Sequence, residues 1–189
     1  MINEKGIWSL DTAEKSHYHS VNLAEFIAKE FDKNVTVNDI GCGDGYYCKY
    51  LSDKGFKKIQ AFEGTPDIEN MGVYNPIIQT DLSEYINKKY IKKESNSICL
   101  EVGEHIPKEY ESVFLDNICN LTINKIIFSW AVIGQGGEGH VNCQDNDYII
   151  EQMKTRGFEV DVKKTKQLRD IDFNGLTYFK NTLFYMVRK

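Results

Sequence analysis

Two clusters of residues in this chain have the types and spacing to do chemistry. The first is Glu101-Val102-Gly103-Glu104-His105, joined by a later His140 at the end of Gly134-Gln135-Gly136-Gly137-Glu138-Gly139-His140. Two carboxylates and two imidazoles form a mixed oxygen and nitrogen set suited to Mg²⁺ or to a first-row cation such as Mn²⁺. Glu101 and His105 are four residues apart, so a helical turn puts them on one face with Glu104 beside them. His140 would then approach from a neighbouring loop. An ion held there lowers the pKa of a coordinated hydroxyl. Without an ion, His105, His140 and Glu104 are candidates for general acid–base work, or they simply shape a pocket. The second cluster is Asp39-Ile40-Gly41-Cys42-Gly43-Asp44-Gly45. Glycines there let a ligand approach backbone N–H groups, although a tight structural turn uses the same residues.

Short apolar runs alternate with amphipathic stretches, the pattern of an α/β protein with a parallel sheet. Helical spacing of Val21, Leu23, Ala24, Ile27, Ala28 and Phe31 predicts a leading helix over 17–31. Strands are expected over 35–40, 58–62, 76–80, 97–100 and 125–131, and two closing strands near 158–162 and 182–187. Helices are expected over 46–54, where Gly55 supplies the stop, and over 107–120 and 147–155. One domain over 1–189 follows, with residues 1–33 as an N-terminal helical cap and 34–189 as a Rossmann-like core.

These elements place three acidic residues at strand ends: Asp39 at the end of the first, Glu63 at that of the second and Asp81 at that of the third. Ligands of open α/β sheets bind at that edge. A carboxylate at Glu63 accepts ribose hydroxyls. One at Asp81 accepts an adenine amine, with Leu82 packing on the ring. Dinucleotide folds carry a third glycine where this chain has Tyr46, which disfavours NAD and FAD. Four glycines among Gly134, Gly136, Gly137 and Gly139 predict a mobile lid, from which Trp130, Gln135 and His140 close over a polar acceptor. Tyr46 and Tyr47 either line the site or pack half-buried.

The composition bounds what the site serves. The chain has 189 residues, 41% hydrophobic and 27% charged, with a net charge of -5, so no basic field favours nucleic acid. Lys88-Lys89, Lys92-Lys93 and Lys163, Lys164 and Lys166 read as solvated faces. Five cysteines without a C-x-x-C pair, no apolar leader and no membrane-length run point to a cytoplasmic protein with reduced thiols.

The run from Asp39 to Gly45, then Glu63, then Asp81, resembles class I S-adenosylmethionine-dependent methyltransferases in order and spacing over nearly the whole chain. The resemblance implies a seven-stranded, mostly parallel sheet of order 3-2-1-4-5-7-6, the last strand antiparallel, with helices on both faces. It implies a cofactor site of Asp39, Gly41, Cys42, Gly43, Gly45, Glu63, Gly64, Asp81, Leu82 and Glu101. Gly41 and Gly43 would face the methionine part, Glu63 the ribose and Asp81 the adenine, while Asp39 orients the amino group. Glu101-x-x-Glu104-His105 is similar to the E-x-x-E-H element of ubiquinone-pathway O-methyltransferases and of enzymes that methylate the 2′-hydroxyl of small RNAs. In the RNA group that element and a later histidine hold a cation, which implies metal ligands Glu101, Glu104, His105 and His140. Tyr18 and His19 resemble residues that cap the pocket in this family. The expected function is O-methylation of a small hydroxylated acceptor such as a sugar. The alternatives are methylation of RNA ends or protein, and a non-catalytic S-adenosylmethionine-binding module.

Overall fold

The computed structural model describes residues 1–189. The strands are β1 (Thr36–Ile40), β2 (Ile59–Glu63), β3 (Ile77–Gln79), β4 (Ser95–Cys99), β5 (Lys125–Phe128), β6 (Phe158–Val160) and β7 (Phe184–Arg188). They form one sheet in the order β3-β2-β1-β4-β5-β7-β6. The pairings from β3 to β5 are parallel, and β7 runs antiparallel to both β5 and β6. This is the order and hand expected from the sequence.

Alternate residues of the strands feed two cores, one on each face of the sheet. Ile126 and Phe128 of β5 and Phe184 and Met186 of β7 pack under α4 (Glu111–Leu121) and α5 (Asn146–Thr155). Ile127 and Tyr185, from the positions between them, pack with Leu23 and Ile27 of α2 (Val21–Glu30) and Leu51 of α3 (Tyr46–Asp53). The buried faces of β1 and β4 also carry polar groups. Asn38 Nδ2 and Ser95 Oγ both donate to the Leu121 carbonyl, and Thr122 and Ser97 share a hydroxyl bond at 2.7 Å. Their hydrogen bonds offset the cost of taking those atoms out of water.

Three departures from the expected elements bear on the site. The leading helix expected over 17–31 begins only at Val21 as α2, capped by Ser20, which accepts from Leu23 N at 3.2 Å, and an unpredicted helix α1 (Leu10–Ser16) precedes it. The extended link between them carries His17, Tyr18 and His19 to the ligand edge. The strand expected over 125–131 stops at Phe128, because Ser129 Oγ turns to accept from Glu101 N at 2.9 Å. Two unpredicted helices, α6 (Val162–Arg169) and α7 (Phe179–Thr182), separate β6 from β7. No helix is long and apolar enough to cross a membrane.

Candidate active site

Parallel pairing brings the ends of β1, β2 and β4 to one edge, where a single cavity of about 500 Å³ opens. That size suits a small-molecule ligand. Its floor is the turn after β1. Gly41 and Gly43 have φ of 74° and 55°, and neither has room for a side chain. A Cβ on Gly41 would lie 2.5 Å from Val102, and one on Gly43 would lie 2.7 Å from the His17 ring. Cys42, at 8% exposure, also lines the cavity. Gly45 does not. It adopts φ 83° to begin α3 and backs onto Tyr74. Asp44 holds this corner together, accepting from Tyr46 N at 3.0 Å and pairing with His19 Nε2 at 2.9 Å, while Tyr46 stacks on His19.

Glu63 is bound more tightly to its own protein than its place in the sequence suggests. Its Oε2 accepts from Gly43 N at 2.9 Å, and its Oε1 accepts from Gly64 N and Thr65 N at 2.8 and 2.9 Å. A carboxylate offers about four lone-pair sites, so one remains for a ligand hydroxyl. Asp81 is similar: Oδ1 accepts from Ser83 N and Oγ, and Oδ2 from the Lys5 ammonium at 2.8 Å. Asp81 stands at the rim rather than in the lining, while Gly64 and Leu82 line the cavity beside it. Burial would push Asp81 up, but Lys5 and Ser83 hold its carboxyl below the usual range.

Asp39 sits on the cavity floor, 3% exposed, with Cys48 Sγ donating to it at 3.2 Å. Burial, then Glu63 and Asp44, raise its pKa from 3.8 to about 7, against the pull of the Cys48 bond. A carboxyl raised in the folded state binds more protons than in the unfolded chain between those values. Its contribution to stability is therefore present below pH ~4 and lost as pH rises towards 7. We expect thermal melts of the ligand-free protein to fall over that window and Asp39→Asn to flatten the slope. Parallel slopes would remove Asp39 as the cause.

The second cluster forms at the end of β4. Glu101 takes φ 52° and turns the chain into a short 3-10 turn, Gly103–His105. Glu104 is completely buried and neither carboxylate oxygen has a partner, and Glu101 Oε1 is likewise unpartnered. Burial, reinforced by Glu101, holds the Glu104 carboxyl well above its ordinary range, and burial raises Glu101 too. His105 Nδ1 bonds the Gly139 carbonyl at 3.2 Å, and His140 Nδ1 bonds the Gln135 carbonyl at 3.1 Å. A carbonyl only accepts, so both Nδ1 atoms carry the hydrogen and both Nε2 atoms present a lone pair. His140 Nε2 lies 3.9 Å from Glu104 Oε1. One ligand atom each from Glu104, His105 and His140 falls within 4.8 Å of the others. Unpartnered buried oxygens and two fixed imidazole lone pairs fit a divalent cation. Glu101, expected from the sequence as a fourth ligand, stands outside this cluster, because its Oε2 accepts from Gln135 Nε2 at 2.5 Å.

The scaffold of this cluster corrects one expectation. Trp130 does not close over an acceptor. It is 1% exposed and lies beneath the turn, where its Nε1 donates to the Asn142 carbonyl at 2.7 Å. A Cβ on Gly103 would sit 2.1 Å from the Trp130 ring, so only glycine lets the turn settle on the indole. Gly103→Ala is expected to destabilise the fold by about 1–3 kcal/mol through overpacking, read as a lowered melting temperature. An unchanged melt would mean the turn has slack. The glycine-rich loop is tied down at its C-terminal end. Val141 N and Asn142 N both donate to the Glu104 carbonyl at 2.9 Å, and Asn142 Nδ2 donates to buried Glu111 at 2.9 Å. The His140 ring lies over Gly137, where a Cβ would meet it at 2.1 Å, and only Gly134 and Gly136 face open space.

The cavity thus gathers Asp39, Gly41, Cys42, Gly43, Glu63, Gly64, Leu82, Glu101, His105 and His140 in its lining, and leaves Gly45, Asp81 and Glu104 just behind it. Sequence reasoning missed Gly6, Ile7 and Trp8 on one wall and Tyr178 and Phe179 on another. The apolar Ile7-Trp8 pair following the polar Asn3-Glu4-Lys5 was the available signal. The Tyr178-Phe179 pair follows a polar segment with no periodicity and gave none.

No protein-family model matches this chain. No curated protein matches it either. Solved structures do. The magnesium protoporphyrin IX methyltransferase of Synechocystis PCC 6803, with S-adenosylmethionine bound, superposes at a TM-score of 0.63 with 18% identity, over 95% of this chain and 79% of that one. A small RNA methyltransferase gives 0.63 and 14%, over 89% of this chain and 25% of that one. The cyclase SpnF gives 0.63 and 11%, over 95% and 90%. At these identities the likeness establishes architecture: the chain has the seven-stranded Rossmann-like fold on which S-adenosylmethionine-dependent methyltransferases are built.

Proposed function

We propose that this chain is an S-adenosylmethionine-dependent methyltransferase acting on a hydroxyl of a small acceptor such as a sugar, with a divalent cation (Mg²⁺ or Mn²⁺) at Glu104, His105 and His140. One observation carries the reading: the imidazoles of His105 and His140 line the cavity floored by Gly41, Gly43 and Glu63, and the fully buried Glu104, unpartnered, stands just behind them within ligand distance of both. In this reading Gly41 and Gly43 give close access to the methionine part of the cofactor, and Asp39 faces its ammonium. Glu63 takes a ribose hydroxyl, Asp81 the adenine amine, and Leu82 packs on the ring.

The cation supplies a lowered pKa to the acceptor hydroxyl bound to it. The chain's own residues do the rest. The loop carbonyls of Gly139 and Gln135 hold the two imidazoles in register, and buried Glu104 completes the ligand set. Glu101, positioned by Gln135 and Ser129, faces the acceptor. Tyr178 and Phe179 wall that side and exclude water. Burial, then His140, depress the His105 pKa to about 4. So weak a base removes little proton at neutral pH, which favours His105 as a ligand over His105 as the general base.

Transfer to RNA ends is the reading a small RNA methyltransferase of like fold suggests. Here Lys58, Lys92 and Lys93 surround a depression beside Val35 and Thr36, at the opposite edge of the sheet from the cavity. That placement supports a small acceptor. The test is methyl transfer from labelled cofactor into pools of sugars, phenols, peptides and short RNAs, with chelator and with Mn²⁺ restored. Label in a small hydroxyl compound, lost with chelator, is expected. Label in RNA or peptide would change the acceptor, and cofactor binding without transfer to any pool would leave a binding module.

A further inference from the structure

Residues 2–8 fold back on themselves and lie across the mouth of the cavity. Asn3 Oδ1 accepts from Lys5 N and Ile7 N, each at 2.9 Å, Asn3 N donates to the Ile7 carbonyl at 3.0 Å, and Ile2 pairs with Trp8 as a bridge. This makes a loop whose polar groups are bonded largely to one another. Its outward contacts reach both ends of the site. Ile7 covers Gly64 beside Glu63, while Ile2 touches Gly139. Gly6, at φ 82°, brings its backbone so close to His105 that a Cβ would lie 1.9 Å from the carbonyl oxygen. Trp8 stacks on His17 at 5.7 Å and meets His105 edge-on at 5.0 Å.

The Met1 ammonium closes the base of the loop on Ser9 and Thr12 at 2.8 and 2.6 Å, and one ion-pair attachment meets the packing contacts on the far side. Lys5 Nζ lies 2.8 Å from Asp81 Oδ2 and 2.7 Å from Glu84 Oε1, with Lys5 28% and Glu84 70% exposed. We propose that residues 2–8 are a strap that gates the cavity, latched by Lys5 on Asp81 and Glu84. The latch closes on the carboxylate that would read adenine, so cofactor admission and strap closure are linked. This linkage rests on the cofactor reading above, whereas the gate itself does not. Partly solvated ion pairs are weak and screened by salt, so such a latch yields readily and holds only a loop already fitted to its bed. Gly6, Ile7 and Trp8 form the wall over the ligand space, and a molecule lodged beneath them leaves when the strap lifts.

The probe is S-adenosylhomocysteine, followed in stopped-flow by the fluorescence of Trp8, with buried Trp130 as a constant background. Lys5→Met is expected to speed its dissociation about three- to tenfold, and Glu84→Gln by a smaller factor. About 0.5 M salt should speed dissociation from the wild type and leave Lys5→Met unaffected. Chymotryptic cleavage after Trp8, identified by mass spectrometry on the ligand-free protein, should accelerate in the same order. Dissociation and cleavage rates in both variants that match the wild type would overturn the strap. If Lys5→Met folds poorly, Glu84→Gln decides, since Glu84 stands on the surface outside the cavity. Should the wild type bind no S-adenosylhomocysteine, the cofactor reading fails, and the rate of cleavage after Trp8 alone decides the gate.

Discussion

Glu104→Ala is expected to cost the protein its divalent cation, lowering Mn²⁺ affinity by more than about a hundredfold, since even outer-shell changes at metal sites cost ten- to a hundredfold. Methyl transfer should fall with it. The physical ground is that neither oxygen of this wholly buried carboxylate has a well-formed hydrogen-bond partner, its nearest groups being Glu101 and the backbone of Glu104 and Ala131. A side chain kept for packing would be apolar, because an unpartnered carboxyl costs free energy in such a place. Glu104→Gln separates the two roles. It keeps the shape and removes the charge, so the melting temperature of the metal-free protein should hold or rise. The wild type should gain about 2.7 kcal/mol of stability at a Mn²⁺ concentration a hundred times its Kd, and the variant should gain none. A metal-free Glu104→Gln protein that melts far below the wild type would assign Glu104 a structural role.

Glu63→Ala should weaken S-adenosylmethionine binding by about ten- to a hundredfold, or roughly 1–3 kcal/mol. Two losses combine. The ribose hydroxyl loses its acceptor, and the N–H groups of Gly43, Gly64 and Thr65 lose theirs, so the floor of the cavity loosens before any ligand arrives. The melting temperature should therefore fall as well. Glu63→Gln keeps one oxygen and should land between wild type and alanine in both measurements. Calorimetry with S-adenosylhomocysteine reads the affinity. Unaltered affinity in Glu63→Ala would remove Glu63 from the cofactor site.

The sequence by itself determined the α/β class and the strand positions, while the strand order was what the resemblance to class I methyltransferases implied. Strand periodicity and the punctuation by Gly41, Gly43 and Gly55 are local properties, and a parallel α/β sheet allows few topologies once they are read. Asp39, Glu63 and Glu101 could be placed at one edge for the same reason: each lies at or just past the C-terminal end of a strand whose direction the topology dictates. The Glu104, His105 and His140 cluster was partly legible, since Glu104-His105 lies a few residues past β4.

Tertiary structure decided what those residues have left to offer. The three backbone donors on Glu63 come from two separate turns, and the Lys5 ammonium on Asp81 crosses 76 positions of chain. Gln135 captures Glu101 across 34 positions and leaves three ligands where the sequence suggested four. Trp130 looked like a loop residue and is a buried prop, because Gly103 leaves the space an indole fills. Local patterning fixes where a side chain starts, whereas the partners that consume its lone pairs come from distant segments whose approach is set by packing alone.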